Sequence, residues 1–346
     1  MNELRIAIAG AGQIGRVHQR HIAQRSDCRL VAFVDPAPAT RDLGVPLYAD
    51  LATMLREERP DGVILATPNA LHVAGAVECL QAGVPVLVEK PVASTVESAL
   101  ELLHVQQRTG VAALVGHHRR HSAYLQSARA LIADGQLGRL VAVNGTTLFH
   151  KPDRYFTDGP WRTQPGGGPI LINLVHDIDC LRALAGDIVE VQAFASNARR
   201  GFAVEDTAAI ALRFANGALG TLIVSDSAAA PNSWEQTSGE DPAFARYPGQ
   251  GCYLVAGDRG TLVLPTMQLF SHAGERSWNV AMDSSVVLPE PTDPLASQLG
   301  HFCAIIRGQA EPLVTLADGA LSLAATLAVA EAARSGRPVS CNLESR

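Results

Sequence analysis

The chain has 346 residues, 28 Lys and Arg against 34 Asp and Glu (formal charge −6), and 47% hydrophobic content. With a pI near 6.0 and a mean hydropathy of +0.11, it offers no basic face for nucleic acid or a membrane surface. No apolar run approaches the ~18 residues of a membrane span, no basic-then-apolar leader precedes the first strand, and the length suits two domains.

The first third alternates strand and helix signals. Strands read at Arg5–Ala9, Leu30–Val34, Gly62–Ala66, Val86–Glu89 and Ala112–Val115, and helices at Ile14–Arg25, Leu51–Arg56, Leu71–Ala82 and Val96–Arg108. The strands are apolar on both faces, the mark of a parallel sheet covered on both sides. The first strand runs into Gly10, Gly12 and Gly15 in the pattern G-x-G-x-x-G. Gly10 permits the turn, Gly12 lets backbone approach a pyrophosphate, and Gly15 lets helix and strand pack closely. Gln13 and Ile14 open the helix whose N-terminus faces the anion. Asp35 ends the second strand, 20 residues after Gly15, where an acid accepts hydrogen bonds from ribose hydroxyls. Ligands of such sheets bind beyond the C-terminal strand ends. That rim carries Gly10–Gly15, Asp35, Thr67-Pro68-Asn69 with His72, Glu89-Lys90-Pro91, and His117-His118. An ordinary glycine turn with a surface acid is the competing reading.

After Gly116 the pattern changes. Ser122–Asp134 reads as a helix, Leu140–Phe149 as a strand, Lys151–Gly168 as a loop and Pro169–Leu184 as a helix. Strands follow at Ile188–Ser196, Thr207–Phe214, Leu219–Ser225, Cys252–Ala256 and Gly260–Pro265, with Asn216-Gly217 as a hairpin turn. Ala228–Gly251 reads as a loop or flap, and Pro294–Ile306 and Asp318–Ser335 as helices. The fold class expected is therefore α/β plus α+β: a doubly wound Rossmann domain over 1–121, and a domain on a largely antiparallel open sheet over 122–346 whose terminal helices pack back on the first. Cys28, Cys79, Cys180, Cys252, Cys303 and Cys341 form no C-x-x-C pair and no zinc spacing, so reduced thiols, no metal and a cytoplasmic setting are expected.

Lys90 follows an apolar strand at the cofactor edge, where an ammonium can stabilise an alkoxide as hydride leaves. His176 offers imidazole, the usual base for a hydroxyl proton at neutral pH. Asn173 stands three residues earlier, off the apolar stripe of Leu171, Leu174, Val175, Ile178 and Leu181. A structural histidine bonded to Asp177 or Asp179 is the alternative. Gly166-Gly167-Gly168 would let this helix approach a ligand closely. Trp161-Arg162 reads as a pair that holds substrate oxygens and covers a ring, against a surface Trp–Arg stack. His117, His118, Arg119, Arg120 and His121 form no metal set, because adjacent histidines of an extended segment point in opposite directions.

These residues resemble the Gfo/Idh/MocA oxidoreductases, the family of glucose–fructose oxidoreductase and inositol dehydrogenase. The resemblance rests on GAGQIG at Gly10–Gly15, Asp35, TPNALH at Thr67–His72, EKP at Glu89–Pro91, GGG at Gly166–Gly168, HDID at His176–Asp179 and SGRPV at Ser335–Val339. It implies NAD(P)-dependent oxidation or reduction of a sugar, cyclitol or related hydroxy compound, and a sheet that builds homodimers or homotetramers. By position, Lys90 and His176 become the catalytic pair and Glu89 orients the loop. Gly10, Gly12, Gln13, Ile14, Gly15, Asp35, Thr67, Pro68, Asn69, His72, Glu89 and Lys90 are the cofactor contacts, and Trp161, Arg162, Asn173 and His176 the substrate contacts. Many members place Asp four residues before the catalytic His; here that position is Ile172. Lys151, Arg162 and Arg119 or Arg120 would make the pocket basic and suit a carboxylated substrate. NAD is expected over NADP, since Asp35 repels a 2′-phosphate and Arg41 is the nearest cation. A non-catalytic NAD(H)-binding regulator and an NAD-retaining lyase or glycosidase are the other readings.

Overall fold

The computed structural model describes residues 3–37 and 43–343; Arg41 lies outside them. The chain divides into two compact units, Met1–His121 with Pro294–Leu323, and Ser122–Asp293 with Ala324–Ser345.

In the first unit, strands β1 (Leu4–Ala9), β2 (Cys28–Val34), β3 (Leu47–Tyr48), β4 (Gly62–Leu65), β5 (Val86–Val88) and β6 (Ala113–Val115) form one sheet in the order β3-β2-β1-β4-β5-β6. Every pairing is parallel. Helices α1 (Gln13–Ala23), α2 (Leu51–Glu58), α3 (His72–Gln81) and α4 (Val96–Thr109) connect the strands. Ile6, Ile8, Phe33, Ile64, Leu87 and Leu114 are all fully buried, which explains why these strands are apolar throughout rather than alternating. The strand order reverses beside β1, and such a reversal places a ligand crevice at the C-terminal ends of the strands.

The second unit contains α5 (Ala123–Ala133), β7 (Leu140–His150), α6 (Asp153–Thr157), α7 (Val175–Ala185), β8 (Ile188–Ser196), β9 (Thr207–Phe214), β10 (Leu219–Ser225), β11 (Ser227–Asn232), α8 (Trp234–Ser238), β12 (Tyr253–Gly257), β13 (Gly260–Leu264), β14 (Gln268–Ser271) and β15 (Asp283–Val286). The chain ends in α9 (Pro294–Ile306), α10 (Leu316–Ser335) and β16 (Val339–Ser340). Among the described residues the second sheet runs β15-β14-β13-β12-β7-β10-β9-β8-β16, with β11 beside β7. It is antiparallel except where β7 and β10 pair in parallel. Along β9, Ala208, Ile210, Leu212 and Phe214 are buried while Ala209, Ala211 and Arg213 are exposed, so one face packs and the other meets solvent. The packed face holds Leu125 and Ala128 of α5, Ile178 and Leu181 of α7, and Ala325, Ala328 and Val329 of α10.

Four expectations need correction. The Lys151–Gly168 loop contains α6 and a 3-10 turn at Pro160–Thr163. The Ala228–Gly251 flap contains most of β11 and all of α8. The single helix expected over Pro169–Leu184 is a π turn at Ile170–Leu174 followed by α7. Finally, one helix is long and apolar enough to cross a membrane by composition: α10, with a mean hydropathy of 1.4 over an 18-residue stretch that is 61% buried. Its Ala320, Leu323, Ala325, Ala328 and Val329 lie inside the fold, so it is a core helix. Its alanines and small charge count, rather than a continuous run of large apolar residues, give it that hydropathy.

Candidate functional site

The glycine turn of the first unit fits a dinucleotide phosphate. Gly10 has φ +98°, and a Cβ there would lie 2.4 Å from the Ala66 carbonyl oxygen. A Cβ on Gly15 would lie 1.9 Å from the Gly10 oxygen, so both must be glycine for the turn to close. At Gly12 a Cβ would meet nothing within 4 Å. Its bare backbone borders the open space that a pyrophosphate needs. No side chain caps α1 and no acid stands in its first turn; the helix dipole therefore favours an anion there. Gln13 and Ile14 are exposed at that helix start.

Asp35 is tied into the same turn. Its Oδ2 accepts the Ala11 N–H at 2.9 Å and its Oδ1 the Ala37 N–H at 3.0 Å. Each carboxylate oxygen keeps a further lone pair for a ribose hydroxyl. The acid thus positions the turn, a role the spacing did not reveal.

The other rim residues divide into ligand-facing and structural groups. Pro68 and Asn69 are exposed, and Thr67 is half-buried with a hydroxyl that finds no partner among the described residues. His72, expected among the cofactor contacts, is 1% exposed. Its Nδ1 lies 2.8 Å from the Pro91 oxygen and its Nε2 2.9 Å from the Thr67 oxygen. With a backbone carbonyl within hydrogen-bond distance of each ring nitrogen, His72 staples the loop after β4 to the loop after β5 and turns neither nitrogen to open space.

Glu89 is also buried. Its Oε1 takes the His18 Nε2 at 2.8 Å and its Oε2 the Lys90 N–H at 3.3 Å. Burial would raise this carboxyl, but the His18 hydrogen bond and charge, with Lys90 and His118, bring it down to about 2. Glu89 therefore holds the backbone of Lys90. A carboxyl lowered in the folded state contributes stability that is complete above its ordinary value near 4.5 and is lost as pH falls towards about 2. Glu89→Gln is expected to cost roughly 1.5–3 kcal/mol at pH 7. Thermal melts should show the gap to wild type closing at the acid end; a gap that stays constant with pH would contradict the assignment.

Lys90 follows β5 directly, in a cis peptide with Pro91, and is partly exposed. His117, Arg119 and Arg120 are buried, with Arg120 3.7 Å from Asp318.

In the second unit, His176 is 8% exposed in the first turn of α7. The apolar-stripe picture underestimates this helix, since Val175 through Arg182 are all buried. Asp177, offered as a partner for His176, receives the Tyr253 hydroxyl. Asn173 lies in the π turn before α7, and its Oδ1 accepts from Lys151 Nζ at 2.7 Å. Single π turns inserted in helices are frequent at functional sites. Trp161 is 58% exposed, and Arg162 lies 3.9 Å from the Tyr155 ring centroid and 5.4 Å from that of Trp161.

Two of the three glycines pack against protein, while a Cβ on Gly166 would meet nothing within 4 Å. A Cβ on Gly167 would lie 2.5 Å from Arg162 Cα, and one on Gly168 2.2 Å from Glu205 Oε1. These glycines seat the Arg162 segment and the Glu205 carboxylate, which accepts the Ile170 N–H at 2.9 Å. Sequence reasoning missed Tyr155, Arg200, Glu205 and Asp226. Their only signal was polar side chains beside strand ends.

The first sheet's order, the glycine cradle and the acid after β2 define an NAD-binding Rossmann domain, joined here to a second, mostly antiparallel unit. Residues 4–117 match the oxidoreductase family with an NAD-binding Rossmann fold, and residues 125–263 match the GFO/IDH/MocA C-terminal domain. A 1,5-anhydro-D-fructose reductase of Ensifer adhaerens is 30% identical over 279 residues, 80% of this chain and 78% of its own. A scyllo-inositol 2-dehydrogenase (NAD(+)) of Bacillus subtilis is 24% identical over 356 residues, 99% of this chain and 98% of its own. The crystal structure of the WlbA dehydrogenase of Bordetella pertussis, in complex with NADH and UDP-GlcNAcA, is 26% identical. It superposes with a TM-score of 0.77, covering 98% of this chain and 99% of the other. The chain belongs to the GFO/IDH/MocA oxidoreductase family.

Proposed function

We propose that the protein is an NAD-dependent dehydrogenase that moves a hydride between nicotinamide and a secondary alcohol or carbonyl carbon of a sugar- or cyclitol-like compound. The observation that carries this reading is Lys90. It stands at the C-terminal edge of an NAD-binding sheet, its backbone held by Glu89 on one side and by the His72 bond to Pro91 on the other. Bound NAD supplies the hydride acceptor. Lys90 donates a hydrogen bond to the reacting oxygen and stabilises the alkoxide as charge develops. His176 accepts the hydroxyl proton. Asn173, with its oxygen on Lys151, presents its amide N–H groups to a substrate hydroxyl. Asp35 sets the cofactor preference: its negative charge suits a free 2′-hydroxyl and repels a 2′-phosphate.

The test is turnover of a panel of sugars, cyclitols and their acids with NAD and with NADP, followed by nicotinamide absorbance. At least one alcohol is expected to be oxidised, with kcat/KM at least about tenfold higher for NAD. No turnover of any alcohol overturns the reaction, and equal use of NADP overturns the role of Asp35.

A further inference from the structure

We propose that the second unit carries an oxyanion pocket, formed by the Lys151 ammonium and the Arg162 guanidinium around the Tyr155 ring, that takes a carboxylate of the substrate. The identity of the ligand as substrate rests on the dehydrogenase reading above; the pocket itself rests on geometry.

Lys151 ends 7% exposed immediately after β7. An ammonium has three N–H donors. One reaches Asn173 Oδ1 at 2.7 Å, and the Asp226 carboxylate stands off at 3.5 Å. That carboxylate is held more closely by Arg200 Nε, at 2.8 Å. Among the described residues, two acceptors therefore face the three donors of the buried Lys151. Arg162 shows the same feature: its Nη1 donates to the Tyr155 backbone carbonyl at 2.6 Å, while its Nε is buried without an acceptor among the described residues.

The two cations share one aromatic ring. Lys151 Nζ lies 4.8 Å and Arg162 Cζ 3.9 Å from the Tyr155 centroid. Gathering like charges out of water is costly unless an anion joins them. The local acids do not remove the imbalance. Asp226 is shared with Arg200, and Asp153, which faces Arg200, is 98% exposed. Glu205 is tied to the Ile170 N–H, and burial raises its carboxyl towards the neutral form. Burial also lowers Lys151 to about 8, with Arg200 and Arg162 adding to the effect and Asp226 opposing it. This is the behaviour of a buried ammonium whose counter-ion is incomplete.

Position selects the ligand. Lys151 bonds to Asn173, and Asn173 precedes His176 by three residues across the junction of the π turn and α7. An anion held by Lys151 thus lies beside the segment that carries the proposed base. Arg162, Tyr155 and Asn173 are all partly exposed, which leaves the pocket a route to solvent. A carboxylate can accept from both cations at once.

The test is calorimetric titration of the NADH-loaded protein, which cannot oxidise an alcohol, with D-glucuronate, D-glucose and D-glucose 6-phosphate, which share a ring and differ in the acidic group. Glucuronate is expected to bind at least about tenfold more tightly than glucose. Lys151→Met and Arg162→Gln should each reduce that preference by about 10- to 100-fold while leaving NAD affinity unchanged. Lys151→Arg should keep the preference, and with Arg162→Gln it carries the test if Lys151→Met fails to fold. Equal binding of glucuronate and glucose overturns the proposal, as does a preference unchanged in both charge-removing variants. Tighter binding of the 6-phosphate makes this a phosphate pocket and overturns the carboxylate. Because binding is read without turnover, a failed dehydrogenase assay leaves this result standing. Turnover of neutral alcohols with no preference for acids refutes the pocket alone.

Discussion

Replacing Lys90 by Met is expected to lower kcat by about 10²–10⁴-fold while NAD affinity and thermal stability stay near wild type. The expectation follows from how the residue is held. The Lys90 N–H is received by Glu89, which is buried against His18, and the next carbonyl, that of Pro91, is bonded by His72. None of these bonds uses the Lys90 side chain, whose charge adds to the larger effect of the His18 hydrogen bond on Glu89. Methionine has similar length and flexibility and fills the same space without a charge or a donor. What it removes is the ammonium that, in the proposed mechanism, meets the developing alkoxide. An interaction made only in the transition state lowers kcat and kcat/KM together, whereas uniform substrate binding would raise KM alone. Steady-state kinetics with the best substrate of the panel, alongside NAD titration and a thermal melt, separates these cases. A variant with near wild-type kcat would make Lys90 a structural or substrate-affinity residue and sink the mechanism.

The parts of this molecule that could be read from its sequence are those whose physics is local. The Rossmann strands announce themselves because β1, β2, β4, β5 and β6 are buried on both faces, and the glycine turn because three positions there face backbone or open space. The strands of the second sheet from β8 to β10 were read with their observed bounds, since each alternates or packs as an amphipathic strand should. Strand β15 was missed because all four of its residues are exposed, so it has no apolar pattern to detect. Strands β3 and β16, of two residues each, are too short for any period. The π turn at Ile170–Leu174 leaves no mark in a 3.6-residue count. Long-range partnerships were equally invisible. His18 and Glu89 stand 71 positions apart and Lys151 and Asn173 22 apart. A cofactor-contact label on His72 could not foresee two carbonyls closing on its ring.

His176→Ala is expected to lower kcat by a similar factor, about 10²–10⁴, and the loss should be partly restored by imidazole added to the assay. The side chain is only 8% exposed, so its removal leaves a pocket of imidazole size in the wall of the second unit. The fold should tolerate the change. The core around α7 is made by Leu174, Ile178, Leu181 and Leu184, and Asp177 is independently anchored by the Tyr253 hydroxyl. A base that takes a proton can be replaced in part by the same ring free in solution; a histidine that only packs cannot. With Ile172 in the position that many relatives give to Asp, no carboxylate stands four residues before the imidazole. Asn173 engages Lys151 through its oxygen, and it can orient a hydroxyl but cannot take its proton. The proposed proton path therefore depends on His176 itself. Under the proposed mechanism, in which Lys90 and His176 act on one oxygen and one proton, the Lys90→Met and His176→Ala losses should fall short of additive in the double variant. Wild-type kcat in His176→Ala, or a loss accompanied by a fall in melting temperature and no response to imidazole, would make His176 a core residue and leave the reaction without its base.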